Sequence, residues 1–203
     1  MDGAYIAFEG TEGSGKSTHA RRLAESLDAV LTRETGGTPI GERLRTILHD
    51  TAVDDLDDRA EALIVAADRA QHFAQVVTPA LAAGRDVVSD RSVWSTLAYQ
   101  GYGRGLDLDE LRAVNEWATG GRWPDLVVFL DVDVEVMTAR IAKRELDRFE
   151  RAGDEFHTRV VEGFRAMAAA DPAHWIVLRP DAPKDEVAAQ VRAVVLDRLG
   201  RAR

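Results

Sequence analysis

The chain has no cysteine, only three lysines and a single asparagine, and each shortage narrows what it can do. Without cysteine there are no disulfides, no thiolate nucleophile and no cysteine zinc site, so any metal must be held by oxygen or imidazole. The five histidines, His19, His49, His72, His157 and His174, show no metal spacing and no nucleophile partner, and we read them as surface or satisfied side chains. Lysine is confined to Lys16, Lys143 and Lys184, leaving arginine as the main cation, while aspartates crowd the stretch 54–58. A formal net charge of -9 argues against a general nucleic-acid coat, because nonspecific binding to a polyphosphate backbone needs a basic face. The lysine-poor, acidic balance fits either GC-rich codon usage or a salt-adapted surface. We favour the second, which cooperative folding and full activity without molar salt would overturn. No apolar run reaches the length of a membrane span. Asp2 and Glu9 stand where a signal peptide needs a basic start and an uninterrupted apolar segment, so a cytoplasmic protein that does not engage membranes is expected.

What is present begins at residue 5. Ile6 and Phe8 alternate like a strand and lead into Gly10, Thr11, Glu12, Gly13, Ser14, Gly15, Lys16 and Ser17, a full match to the P-loop pattern G-x-x-x-x-G-K-[S/T], followed by Thr18. The glycines let backbone N–H groups turn inward around phosphate oxygens, Lys16 reaches the outer phosphates, and Ser17 is placed to hold Mg²⁺. An amphipathic run through Arg22, Leu23 and Leu27 supplies the helix that this loop needs behind it.

Later strand candidates are 29–33, 86–89, 126–130 and 175–178, each short, apolar and bounded by turn or polar signals. Helical patterns cover 44–49, 57–83, 107–119, 134–143, 155–170 and 184–199. The alternation predicts one α/β domain over residues 1–203, a five-stranded parallel sheet with helices on both faces. Ligands of such sheets bind beyond the carboxyl ends of the strands, and the P-loop, Glu34, Asp90 and Asp131 all fall there.

A phosphate-transfer site must neutralise charge on the transferred group and hold Mg²⁺ near the outer phosphates. Asp90 and Asp131 each close an apolar strand. With Arg91 adjacent, Asp90 is preferred as the acid that orients Mg²⁺, and Asp131 is read as a cap for the helix near Val134. Arg140, Lys143, Arg144, Arg148 and Arg151 form a basic cluster, read either as a solvated helical face or as a lid near 140–152 that closes over the phosphates.

Four ordered blocks add specificity: Phe8 to Thr18, Arg33 to Thr38 with Gly41 to Arg45, Asp90 to Ser95 with Ala98 to Gly101, and Glu145 to Glu150. In these the chain resembles the thymidylate kinases, within the nucleoside monophosphate kinases of the P-loop NTPase type. The resemblance implies ATP-dependent phosphorylation of dTMP to dTDP with Mg²⁺, for dTTP biosynthesis, in a cytosolic homodimer. The long helix over 57–83 is a candidate interface. On matching positions it implies that Arg45 and Arg91 grip the dTMP phosphate and Arg69 bonds the thymine edge. Tyr99 then crowds the sugar, Val65, Thr96 and Gln100 line the acceptor pocket, and Glu12 lies near the sugar 3′-hydroxyl and the metal. Arg140 falls on the donor side. An acidic P-loop residue, Glu12, implies that the catalytic arginine beside Lys16 and Arg91 comes from the lid, with Arg144 the leading candidate.

Three positions depart from the pattern. Val65 stands where an aromatic residue usually stacks on thymine, Thr35 where proline is usual, and no glycine precedes Glu145. A kinase for another deoxynucleoside monophosphate or a nucleoside is the alternative that Val65 leaves open. A non-catalytic nucleotide-binding module is a further alternative. A guanine switch is disfavoured, because Asn115, followed by Glu116, is the only asparagine from which an Asn-Lys-x-Asp motif could start.

Overall fold

Five strands run parallel in the order β2-β3-β1-β4-β5: β1 (Tyr5–Glu9), β2 (Val30–Arg33), β3 (Val87–Asp90), β4 (Leu126–Leu130) and β5 (Trp175–Leu178). They belong to a computed structural model that describes residues 3–142 and 147–201. The central strands β1 and β4 are buried at every position, as a parallel sheet covered on both faces requires, whereas edge strand β2 alternates between half-buried and exposed.

The helices are α1 (Lys16–Leu27), α2 (Pro39–His49), α3 (Asp58–His72), α4 (Thr78–Ala82), α5 (Val93–Thr96), α6 (Leu108–Thr119), α7 (Val134–Ile141), α8 (Asp154–Ala170) and α9 (Lys184–Arg198). Strand alternation separates two cores. Val127 and Phe129 pack with Leu97, Phe164 and Trp175 on the side of α3, α6 and α8, while Ile6, Phe8 and Val128 pack with Leu23, Val187 and Val191 on the side of α1 and α9. Helix starts follow local chemistry. The Thr38 side chain accepts from the Gly41 amide ahead of Pro39, so α2 begins five residues before the predicted start at Leu44, and Asp57 and Asp107 cap α3 and α6 in the same way.

The single helix predicted over 57–83 is interrupted by a π turn at Phe73–Val77 before α4. Pro79 explains the change: it has no N–H to give and its ring crowds the carbonyl four residues back, which a wider turn relieves. A second π turn, Leu97–Gly103, had no counterpart in the sequence reading, and it carries Tyr99 and Gln100. Its glycines permit close packing, since a Cβ on Gly103 would lie 2.6 Å from the Phe156 ring on α8.

Candidate active site

The P-loop wraps the N-terminus of α1. Gly10, Gly13 and Gly15 all have positive φ, and a Cβ on Gly10 would sit 2.7 Å from the Leu130 carbonyl oxygen, so glycine is required there on two counts. Lys16 is buried and donates to the Thr11 carbonyl at 2.6 Å. Burial, reinforced by the neighbouring Arg91 charge, brings the Lys16 ammonium down to about 8. The Thr11 and Ser14 hydroxyls are buried without a hydrogen-bond partner, as expected of groups that phosphate oxygens would satisfy.

Ser17 Oγ donates to Asp90 Oδ2 at 2.5 Å, bringing a helix-start hydroxyl and a strand-end carboxylate together. Among the described residues no group of three or more His, Asp or Glu is placed to hold a metal ion. Two hard oxygen donors rather than a full cage suit Mg²⁺, which keeps water and phosphate ligands. Asp131 does not cap α7. Asp133 occupies the cap position, and Asp131 is drawn instead to Arg165 of α8, which donates to its two oxygens at 3.0 and 3.2 Å.

Arg91 adopts a left-handed backbone at φ 73, which turns its side chain across the loop. It donates to Glu12 Oε1 at 2.5 Å, to Ser95 Oγ at 3.1 Å and to the Tyr99 hydroxyl at 3.2 Å. Beneath it the fully buried Glu9 accepts from Ser92 at 2.7 Å and Ser95 at 2.6 Å, and burial pushes the Glu9 carboxyl up to about 7.

From this junction a cavity of about 310 Å³ extends away from the P-loop, lined by Arg45, Val65, Arg69, Thr96, Tyr99, Gln100 and Phe149 among others. Arg45 donates to the Thr35 carbonyl at 3.2 Å and the Thr35 hydroxyl at 3.3 Å, and burial lowers its pKa. Thr35, joined to Glu34 by a cis peptide, thus gives Arg45 a hydroxyl acceptor beside its carbonyl, and only the hydroxyl would be lost with a proline there. Arg69 is buried and largely committed to the protein: Nε donates to Glu34 at 2.8 Å, one terminal nitrogen to Thr96 at 2.9 Å and to Asn115, and the other to the Ser92 carbonyl at 3.1 Å. Burial acts upward on Glu34, but Arg69 and His72 outweigh it and hold the carboxyl low.

The basic cluster divides. Arg140 donates to the Gly13 carbonyl at 2.9 Å, which places it beside the P-loop. Arg148 instead pairs with Glu61 and donates to the Leu48 carbonyl at 2.9 Å. Lys143, Arg144, Glu145 and Leu146 lie outside the described residues. Of the histidines, His72 is satisfied by Glu34 and Thr32, and His49 by Asp147 at 2.7 Å. His19 and His157 correct the expectation for the set, since both are buried, His19 with Nδ1 unpaired and His157 with neither ring nitrogen paired.

Sequence reasoning did not single out Glu9, Glu61, Asp147 or Phe149. Signals existed for all four: Glu9 lies in the block Phe8 to Thr18, Asp147 and Phe149 in the block Glu145 to Glu150, and Glu61, Val65 and Arg69 recur at four-residue spacing on α3 and so share a face.

Residues 8–191 match the family model described as thymidylate kinase. The thymidylate kinase of Desulforudis audaxviator is 45% identical over 98% of this chain and 94% of its own. That of Pelotomaculum thermopropionicum is 49% identical over 88% and 86% respectively. Among solved structures, the thymidylate kinase of Ehrlichia chaffeensis superimposes with a TM-score of 0.80 at 32% identity, covering 96% of this chain and 99% of that one.

Proposed function

The chain belongs to the thymidylate kinase family, and we propose that the residues described above divide among themselves the transfer of a phosphoryl group from ATP to dTMP. The enzyme is a kinase, and its product is dTDP. One observation carries the division of roles: a single cavity joins Lys16 and Ser17 of the P-loop to Val65 and Gln100, with Arg91 at the junction.

In the reaction an acceptor phosphate oxygen attacks the γ-phosphorus of ATP, the bond from that phosphorus to the β,γ-bridging oxygen breaks, and ADP leaves with the electron pair. Both partners are anionic, so the main barrier is bringing them together. Arg45 and Arg91 neutralise the dTMP phosphate, while Lys16 and the P-loop amides hold the donor. Glu12 and Tyr99 fix Arg91 in position and border the sugar. Arg140 steadies the loop on the donor side. Ser17 and Asp90 would hold Mg²⁺, which would supply charge neutralisation to the donor phosphates. Arg144 is assigned to the transferred phosphoryl group, and a kcat within twofold of wild type for Arg144→Ala would remove it from that role.

The working form is a cytoplasmic homodimer. Leu63 of α3 and Trp117 of α6 support this, being large apolar side chains that are 58% and 86% exposed in the single chain. Among the described residues no helix is long and apolar enough to cross a membrane. ADP release measured with ATP and Mg²⁺ across dTMP, dUMP, dGMP and thymidine tests the function. Turnover with dTMP well above the others is expected, and turnover with none, or preference for another acceptor, would overturn it. Light scattering at micromolar concentration tests the dimer.

A further inference from the structure

Behind the acceptor cavity one carboxylate controls how an amide faces it. Gln100 is buried, lines the cavity, and donates through Nε2 to Glu61 at 2.8 Å. Glu61 is fully buried and also takes the guanidinium of Arg104 at 3.1 Å and that of Arg148. A carboxylate held between two cations has only acceptors to offer, so it captures the NH₂ end of the amide and leaves Gln100 Oε1 as the atom available to the cavity.

Arg69 lines the same cavity with the opposite chemistry. A guanidinium has five N–H donors and no acceptor, and Glu34, Thr96, Asn115 and the Ser92 carbonyl take four of them. The fixed polar pattern at this wall is thus one acceptor from Gln100 and one remaining donor from Arg69, beside the Thr96 hydroxyl, which accepts from Arg69 and can turn its own O–H to suit either edge. A base edge that satisfies it must present a donor and an acceptor in turn. The N3–H and O4 of a 4-oxo pyrimidine do so, whereas the N3 lone pair and exocyclic amine of a 4-amino pyrimidine present the reverse.

We propose that Glu61 is a positioning residue for base selection: by locking the Gln100 amide it makes the pocket read 4-oxo and reject 4-amino pyrimidine nucleotides. The assignment rests on the acceptor role given to this cavity above. Glu61 touches no substrate; it acts through Gln100, and its arginine partners fix its carboxylate in the place that captures the amide.

The test compares dTMP with 5-methyl-dCMP, which differ only at the N3 and C4 positions of the base. A pocket built to hydrogen-bond one pattern separates the two by about 10⁴-fold in kcat/KM, and unlocking the amide should narrow that ratio at least tenfold. In Glu61→Gln the partner accepts or donates, so Gln100 is free to flip. The expected result is a loss on dTMP, a gain on 5-methyl-dCMP and an unchanged KM for ATP. A purely structural role would lower both acceptors equally and leave the ratio unmoved, which would overturn the assignment. Should Glu61→Gln not fold, Gln100→Met decides, since it leaves Glu61 with its two arginines. A narrowed ratio there supports the assignment and a preserved ratio overturns it. A wild type inert toward dTMP would overturn the kinase function and this assignment together, whereas a wild type active on dTMP with an unmoved ratio in the variants overturns only the assignment.

Discussion

The hydroxyl of Tyr99 lies 2.8 Å from one carboxylate oxygen of Glu12 and 2.9 Å from the other, tying the π turn of the acceptor wall to the P-loop. Arg91 closes the triangle, bonded to Glu12 and stacked 4.9 Å from the centre of the Tyr99 ring. Burial keeps the phenol far above its ordinary pKa, so Tyr99 remains a neutral donor. Removing the hydroxyl in Tyr99→Phe keeps the ring against Phe149, Phe156 and Phe164 but frees Glu12 and Arg91 to reorient. Loss of one charge-assisted hydrogen bond predicts a fall of about tenfold in kcat/KM for dTMP, with a change of only a few degrees in Tm. Steady-state kinetics and calorimetry check the pair, and a kcat/KM within twofold of wild type would mean that the triangle does not organise the site.

Glu9 makes a stability prediction with a definite sign. Its carboxyl is raised from 4.5 to about 7 in the folded chain, so between those values the folded state keeps a proton that the unfolded state has lost. Stability from this group is therefore present below pH 4.5 and is lost as pH rises through 7, by on the order of 3 kcal/mol. Asp147 acts oppositely. Burial works upward on it, but hydrogen bonds from His49 and the Glu150 and Phe149 amides bring it from 3.8 to about 2, so its contribution is lost as pH falls toward 2. Urea melts of wild type and Glu9→Gln from pH 4 to 8 should converge at the acid end, with wild type losing the ground. Parallel curves would show that Glu9 carries no such shift.

Lys16, lowered to about 8 by burial and the Arg91 charge, is half protonated at that pH in the free protein. Phosphate oxygens of the donor favour the cation, so ATP binding near pH 8 takes up about half a proton. Titration calorimetry in buffers of different ionisation enthalpy measures this directly. For the same reason kcat/KM for ATP should fall about tenfold per pH unit above 8. Binding that moves no proton at pH 8 would place the Lys16 titration elsewhere.

Much of the fold was legible because it depends on local patterns. All five strands stand within one residue of the predicted boundaries, and the P-loop, Asp90 and Arg91 meet at strand ends as parallel topology requires. What escaped depends on long-range partners. Asp131 reads as a helix cap until Arg165, 34 residues away, reaches it. Arg148 sits in a basic run in the sequence, yet its destination is set by Glu61, 87 residues earlier. The π turn at Phe73–Val77 was read as α-helix because hydrophobic spacing does not distinguish the two over five residues, while Leu97–Gly103, with two glycines, showed no helical pattern at all.

Val65 offers the most direct test of how the pocket holds its base. The side chain is only 7% exposed and forms part of the cavity wall, four residues before Arg69 on the same face of α3. A valine contributes dispersion contacts there but no π face, so with the proposed assignment base affinity would rest mainly on the polar edge and the phosphate arginines. Val65→Phe supplies an aromatic surface worth about 0.5–1.5 kcal/mol beside a planar base, which predicts a decrease of roughly threefold to tenfold in the KM for dTMP. The gain requires that the larger ring fit beside Tyr99 and Phe149, which line the same space. Because stacking is felt equally in the ground and transition states, kcat should stay within twofold while kcat/KM rises. A raised KM with lowered Tm would mean that the cavity is already filled to its limit at Val65. An unchanged KM would mean that the base does not lie over this residue.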